Sequence, residues 1–463
     1  MSLTYCPECL RKQQRINELE EEVVQLKARL RYQERSAAEG PFGSSTPSSK
    51  VPVKPDTLPE RQARRGGARA GHVGHGRASV PPEAADRVAD VPVTATTCPH
   101  CGETLQDHSA RRRMVLDLDP VRPRRILYRL ARRRCPRCGR TVQARPPGVP
   151  PKGLFGNGLL VHVATQHYLY GVPLGTVARQ LRVSVGSLVT ALHRMARLLA
   201  SVLPRLVTLY RRAAVKHADE TGWRNDGRNG YAWLFCTRKI SLFRFRKTRA
   251  ASVAHEVLGK KRLRGVLEVD RYGAYNRVPC EIQYCYAHLL RDIEDVEKKF
   301  PQEAEVRRFV SALAPLLAEA MRLGTRVRAP PRFRRQAAAL RRRIEAVTRA
   351  PARHPAVQAM QDVFRQNAAR LYAWTRDPVI PADNNLAERR LRPLVIARKI
   401  SFGSQSDAGA RTREILMSVL HTMSLRTDDV PHALKSCLDH HALNPHARPF
   451  PLLFGKPRPP TRK

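Results

Sequence analysis

Three acidic residues in this 463-residue chain stand where chemistry would need them: Asp219, Asp270 and Glu388. Asp219 follows the largely apolar Ala214-Val-Lys-His-Ala, Asp270 closes Gly265-Val-Leu-Glu-Val, and Glu388 lies in Asp383-Asn-Asn-Leu-Ala-Glu. Carboxylates brought within about 5 Å of one another repel by roughly 3 kcal/mol per pair at an effective dielectric of 20. Such a cluster persists with cations between its members. Two Mg²⁺ (or Mn²⁺) ions about 4 Å apart would activate a water or a 3′-hydroxyl and stabilise the departing oxygen of a phosphodiester. Taken singly, each acid has a plainer reading. Asp219 and Asp270 suit turns, Asp383 or Asn384 suits a helix N-cap, and Glu388 suits an i+4 pair with Arg392. Their order in so basic a chain favours the metal site.

A second set of residues points to another metal. Cys98-Pro-His-Cys101-Gly and Cys135-Pro-Arg-Cys138-Gly are two knuckles of the kind that each offer two thiolates to one ion. Together Cys98, Cys101, Cys135 and Cys138 make a tetrahedral Zn²⁺ site, and zinc would supply roughly 10 kcal/mol or more to so small a module. The stretches Arg112–Asp117 and Arg125–Leu130 between them read as strands of a zinc-ribbon-like unit. Arg132, Arg133 and Arg134 beside the second knuckle are expected DNA contacts. Cys6 and Cys9 form a third pair with no evident partner.

The charge names the partner class. Lys+Arg number 84 against 40 Asp+Glu, a formal net charge of +44. A chain this basic needs a polyanion: nucleic acid by default, an acidic membrane surface as the rival. Met1-Ser-Leu-Thr-Tyr runs straight into Cys6 and charged residues, so no export signal is read. The uncharged stretch Gly153–Ala178 holds His162, Gln166, His167 and Pro173 and reads poorly as a membrane span. A cytosolic, DNA- or RNA-facing protein without membrane contact is expected, and its cysteines are expected to be reduced.

Several elements must position these residues. Residues 1–35 carry Ile16, Leu19, Val23, Leu26 and Leu30 at a/d heptad spacing, a coiled-coil or leucine-zipper-like segment that would favour a homo-oligomer. Residues 36–90, rich in Ser, Pro, Gly and Arg, read as a disordered basic linker, and 91–148 as the zinc-binding DNA-contact module. Residues 149–210 read as helix-turn-helix-like, with Ser184 capping the second helix. Residues 211–405 alternate strands and helices. Three strands, a helix, a strand tipped by Asp270, a fifth strand at Ile282–His288, an Arg-rich helical insertion at about 294–375 and a helix carrying Glu388 follow in turn. That is the order of an RNase H-like α/β fold, a mixed five-stranded sheet whose first and fourth strands end side by side. Residues 406–463 complete the chain as a helical segment and basic tail.

The motifs Asp219-Glu-Thr-Gly-Trp223, Asp270-Arg-Tyr-Gly-Ala-Tyr275, Cys285-Tyr-Ala-His-Leu-Leu-Arg291 and Asp383-Asn-Asn-Leu-Ala-Glu-Arg-Arg-Leu-Arg-Pro393, with Arg398-Lys399 after them, resemble the DDE-type transposases of the insertion-sequence-66 family. The resemblance spans nearly the whole chain. It departs at Tyr286, where Trp is commoner, and at Val269, where Ser is commoner. It implies that Asp219, Asp270 and Glu388 are the acidic triad, separated by 51 and 118 positions. It also implies binding of terminal inverted repeats, cleavage at the element's 3′ ends and strand transfer into target DNA. Accessory proteins of the same element are possible further partners. Arg389, Arg392, Arg398 and Lys399 are expected to hold DNA near the metals. The rival readings are a non-catalytic zinc-dependent DNA-binding protein, such as a repressor or domesticated transposase, and an RNase H-fold nuclease.

Overall fold

The structure, a computed structural model, describes residues 122–151 and 153–455 together with isolated positions between Glu8 and Thr104. The chain divides into two compact units, Met1–Leu118 and Asp119–Lys463. In the first, the described positions from Glu8 to Val23 are helical, and Ile16, Leu19 and Val23 of the heptad stripe are exposed. Leu26, Leu30, Cys6, Cys9 and Cys98 lie outside the described residues, as do Arg112–Asp117 and nearly all of 36–90. Thr97 and Thr104 form an isolated antiparallel bridge.

The second unit opens with β1 (Arg132–Arg134) antiparallel to β2 (Thr141–Gln143). The strand expected at Arg125–Leu130 is absent: that stretch is irregular, with Ile126 and Leu127 exposed. The ladder starts at Arg132 because the strand opposite ends at Gln143, its partner in the antiparallel register.

Four helices follow: α1 (Asn157–Ala164), α2 (Leu174–Leu181), α3 (Val185–Leu199) and α4 (Val202–Arg212). Arg182 turns the chain between α2 and α3 in a left-handed conformation, and Ser184 Oγ accepts from Ser187 N at 3.2 Å as the expected N-cap. Val177 and Leu181 of α2 and Leu188, Leu192 and Met195 of α3 are all buried, as their helical spacing requires.

The main sheet comprises β3 (Val215–Asn225), β4 (Arg228–Thr237) and β5 (Ile240–Arg246), then α5 (Ala251–Leu258), β6 (Val266–Val269) and β7 (Glu281–Tyr284). Its order is β5-β4-β3-β6-β7, with β3–β4 and β4–β5 antiparallel and β3–β6 and β6–β7 parallel. β4 is apolar from Tyr231 to Cys236, where it lies inside the sheet and is covered; there Phe235 meets Tyr210 of α4 edge to face.

Two boundaries differ from the sequence expectation. β3 does not end at Asp219 but runs on to Asn225, because its hairpin with β4 extends past the point where β6 stops at Val269. β7 ends at Tyr284. From Tyr286 the chain is already α6 (Tyr286–Lys299), so His288 sits in a helical first turn rather than a strand.

The Arg-rich stretch forms α7 (Ala304–Arg326), α8 (Pro330–Arg349) and α9 (Pro355–Gln366); then come α10 (Asn385–Ser401), α11 (Asp407–Met423), α12 (Val430–Leu443) and α13 (Pro449–Phe454). α11 closes the open edge of the sheet. Thr422, Ser418 and Glu414 accept from the backbone N–H groups of Ser241, Phe243 and Phe245 at 3.1, 2.9 and 3.3 Å. Four helical residues rise about 6 Å and two strand residues about 6.7 Å, so one side chain per turn can meet each outward N–H. An edge otherwise available to another strand is thereby satisfied within the chain. Among the described residues, no helix is long and apolar enough to cross a membrane.

Candidate active site

The parallel register brings two of the three acids together. His217 of β3 is paired with Glu268 of β6, so two residues further on stand Asp219, within β3, and Asp270, just past the end of β6. The third, Glu388, comes from the first turn of α10. That helix is pinned to the sheet at three heights. Asn384, just before it, donates to Ala218 O at 2.8 Å and meets His217 Nδ1 at 2.9 Å. Arg390 caps carbonyls at the β4–β5 turn, donating to Arg238 O at 2.8 Å and Ile240 O at 2.9 Å. Arg398 donates to Thr221 Oγ1 at 3.0 Å and Gly222 O at 2.8 Å.

The charges bear on one another. Burial, then Glu220, and further Asp270 and Glu388, push the Asp219 carboxyl up to about 7, against a hydrogen bond from Glu220 N. The charged form of Asp219 is thus disfavoured without a counter-ion, in a site of hard oxygen donors. A divalent cation of the Mg²⁺ or Mn²⁺ kind fits that donor set. Glu220 points elsewhere: Arg249 donates to it at 2.6 Å and Tyr275 Oη at 2.5 Å, while burial raises its own pKa. Asp270 Oδ1 accepts from Tyr272 N at 3.0 Å, so the turn role read from its sequence coexists with its place beside Asp219.

Glu388 pairs with Arg291 at 3.0 Å, not with Arg392. Its Oε1 is also 3.9 Å from His288 Nε2, and the other imidazole nitrogen, Nδ1, is buried without a partner. Cys285, His288 and Glu388 offer donor atoms within 4.8 Å of one another, and among the described residues this is the potential ligand trio that meets so closely. Asp219 and Asp270 are not part of that trio. Cys285 is a thiol that burial pushes up to about 12, and its Sγ accepts from Asn384 N at 3.1 Å. In this arrangement it braces the start of α6 against the start of α10.

Arg389, Arg392 and Lys399 are exposed along α10, whereas Arg398 is half-buried by its hold on β3. Arg132, Arg133 and Arg134 are exposed on β1. At the second knuckle the amide and thiol of Cys138 and the amide of Arg137 lower the Cys135 thiol, which suits a thiolate ligand. Gly102 and Gly139, each following a knuckle's second cysteine, have positive φ (78° and 67°), which glycine adopts without strain. Asn384 and Arg249 carry more of the site than the sequence reading assigned them. The doubled asparagine of Asp383-Asn-Asn signals a helix cap and says nothing of a buried amide.

The family model described as the transposase IS66 family matches residues 152–412, more than half of the chain. A second, the zinc-finger binding domain of transposase IS66, matches residues 95–139, which contain Cys98, Cys101, Cys135 and Cys138. An uncharacterized protein, y4jD, of Sinorhizobium fredii (strain NBRC 101917 / NGR234) is 27% identical over 203 residues. The match takes in 39% of this chain, which spans 38% of the length of that curated relative. The matched region holds Asp219, Asp270, Glu388 and the elements that position them, and on that extent the chain belongs to the IS66 family of transposases.

Proposed function

We propose that this transposase cuts DNA at the 3′ ends of its own element and joins those ends to target DNA by metal-dependent phosphoryl transfer. The observation that supports this is the register that sets Asp219 of β3 beside Asp270, one residue past the end of β6, with Glu388 near enough to raise the Asp219 pKa. The sheet order, with its first and fourth strands adjacent, supports an RNase H-like catalytic domain over 211–405. Asp219, Asp270 and Glu388 hold the cations. Mg²⁺ or Mn²⁺ bound there would supply the charge that activates a water or 3′-hydroxyl and steadies the leaving oxygen. Arg389, Arg392 and Lys399 line the exposed side of α10 and hold phosphates beside the cut bond, with Arg398 fixing the helix beneath them.

The zinc module of 91–148, with Zn²⁺ on Cys98, Cys101, Cys135 and Cys138, presents Arg132, Arg133 and Arg134 to DNA. The helical region of 149–210 and the Arg-rich helices add recognition and grip on terminal repeats. Exposure of Ile16, Leu19 and Val23 supports a homo-oligomer formed through a coiled coil in residues 1–35.

The test uses purified protein, labelled linear DNA carrying the sequences that flank the gene, and plasmid target. Wild type and Asp270→Ala are compared in Mg²⁺, Mn²⁺ and EDTA, scoring cut ends and joined products. Metal-dependent cutting and joining that vanish in the variant are expected. Cutting without joining would point to a nuclease. Equal end binding with no cutting by either protein, even with cell extract added, would point to a DNA-binding protein.

A further inference from the structure

α10 ends on Phe402, whose backbone is left-handed (φ 53°) and whose side chain leaves the residue 72% exposed. Both features are unusual for an aromatic residue, since bulky side chains disfavour positive φ and large rings gain by burial. A glycine is the ordinary occupant of this position, yet here the glycine comes one residue later. At Gly403 a Cβ would lie 2.1 Å from Arg224 O, so that position admits no side chain.

The mount is rigid. Phe402 N donates to Arg398 O at 2.8 Å, Ser404 N to Arg224 O at 2.9 Å and Asp226 N to Ser404 O at 2.8 Å. Trp223 Nε1 donates to Ser404 Oγ at 3.2 Å. The fold thus holds an aromatic ring outward at a conformational cost, an arrangement that persists where the surroundings over-determine it.

Its neighbours indicate what it meets. Ile396 and Ile400, 52% and 38% exposed, extend the apolar surface along the helix. The same helix carries exposed Arg389, Arg392 and Lys399. A Cβ at Gly171 would lie 3.7 Å from Ile396 Cγ2, and Tyr170, the residue before that glycine, is exposed. A second copy of this surface would set like charges against each other. Nucleic acid matches both parts: phosphates meet the cations, and a base out of its stack meets the ring.

We propose that Phe402 stacks on an unstacked base of DNA lying along α10. This rests on the transposase reading for the identity of the DNA. Fourteen residues of helix separate Phe402 from Glu388, about 21 Å at about 1.5 Å each, so the base lies about six pairs from the cut bond.

The experiment uses the full-length protein with Ca²⁺ and the end duplex carrying single 2-aminopurine substitutions roughly three to nine pairs from the cut. Wild type should raise the fluorescence at one position. Phe402→Asn, which tolerates the left-handed backbone, should abolish that rise, and Phe402→Trp should keep it. Phe402→Asn should also unfold at an equal or higher temperature, which separates a stacking role from a structural one. Its affinity for a duplex with an unpaired base at that position should fall roughly fivefold or more. A rise that persists in Phe402→Asn overturns the proposal, as does wild type binding the duplex with no responsive position. Cutting of the same duplex in Mg²⁺ is read in parallel. Cutting without a Phe402-dependent signal sinks the stacking alone, whereas a signal without cutting sinks the transposase reading and leaves the stacking.

Discussion

The side-chain amide of Asn384 donates to the carbonyl of Ala218 at 2.8 Å, tying the residue before Asp219 to the start of the helix that carries Glu388. With its NH₂ engaged, the amide oxygen faces His217 Nδ1, which the network therefore assigns as protonated. Burial takes that imidazole down to about 4, so it is neutral at physiological pH. The strand and the helix of the candidate triad are thus joined by one buried, neutral bridge.

Asn384→Ala would leave the His217 N–H and the Ala218 carbonyl buried without partners. Each orphaned group costs about 1–3 kcal/mol, so urea unfolding should shift to clearly lower concentration. Cutting should fall with it, as Glu388 loses its fixed distance from Asp219. Asn385→Ala, next door and half-buried, should do neither. An unchanged midpoint for Asn384→Ala would remove the bridge from the account.

Much of this was legible in the sequence, and the remainder has physical causes. Asp219, Asp270 and the strand order follow from apolar runs punctuated by acids, a local pattern. Ser184 followed from a short turn before an apolar helical face. The strand at Arg125–Leu130 failed because its pattern alone cannot name a ladder partner, and among the described residues none pairs with it. Cys285–His288 looked like strand because an apolar run of that length has no period of its own to separate it from a helix start. The partners of Glu388 and Arg398 depend on contacts across 97 and 177 positions, which no local spacing encodes.

The Asp219 carboxyl titrates at about 7 in the folded chain and near 3.9 in an unfolded one. Between those values the folded state binds the extra proton, so stability falls as pH rises from about 4 to about 7. Asp219→Asn removes this fall. Without divalent cation, wild type should lose on the order of a few kcal/mol relative to Asp219→Asn across that window. Saturating Mg²⁺ should shrink the difference. Urea midpoints for both proteins at several pH values, with and without Mg²⁺, measure it; parallel curves would show that Asp219 is not the strained carboxyl.

On the sheet edge, Ser418→Ala and Glu414→Ala should differ sharply. The first orphans one N–H, at Phe243, and should cost about 1–2 kcal/mol. The second removes the buried carboxylate that pairs with Arg244 at 3.3 Å and Arg246 at 2.8 Å, and also with Arg411. Breaking a buried pair from one side costs about 3–5 kcal/mol. Equal losses in urea unfolding would mean that the guanidinium groups find other partners.

The zinc module predicts metal content. Wild type should carry one zinc per chain by atomic emission, and Cys135→Ser should lose it together with end binding. Retained zinc in Cys135→Ser would mean that the four cysteines do not share one ion.

The basic residues of α10 should separate into two kinds, although the sequence presents Arg392, Arg398 and Lys399 alike. Arg392 and Lys399 are exposed, so Arg392→Ala and Lys399→Ala should leave stability unchanged. Each should reduce the slope of log affinity against log salt by about 1, as expected when one phosphate contact is lost. Arg398 holds Thr221 and Gly222, two and three residues beyond Asp219. Arg398→Ala should therefore lower the unfolding midpoint and the cutting rate, with a smaller change in salt slope. If Arg398→Ala instead matches Lys399→Ala in all three readouts, its guanidinium leaves β3 for DNA, and the helix is pinned by Asn384 and Arg390 alone.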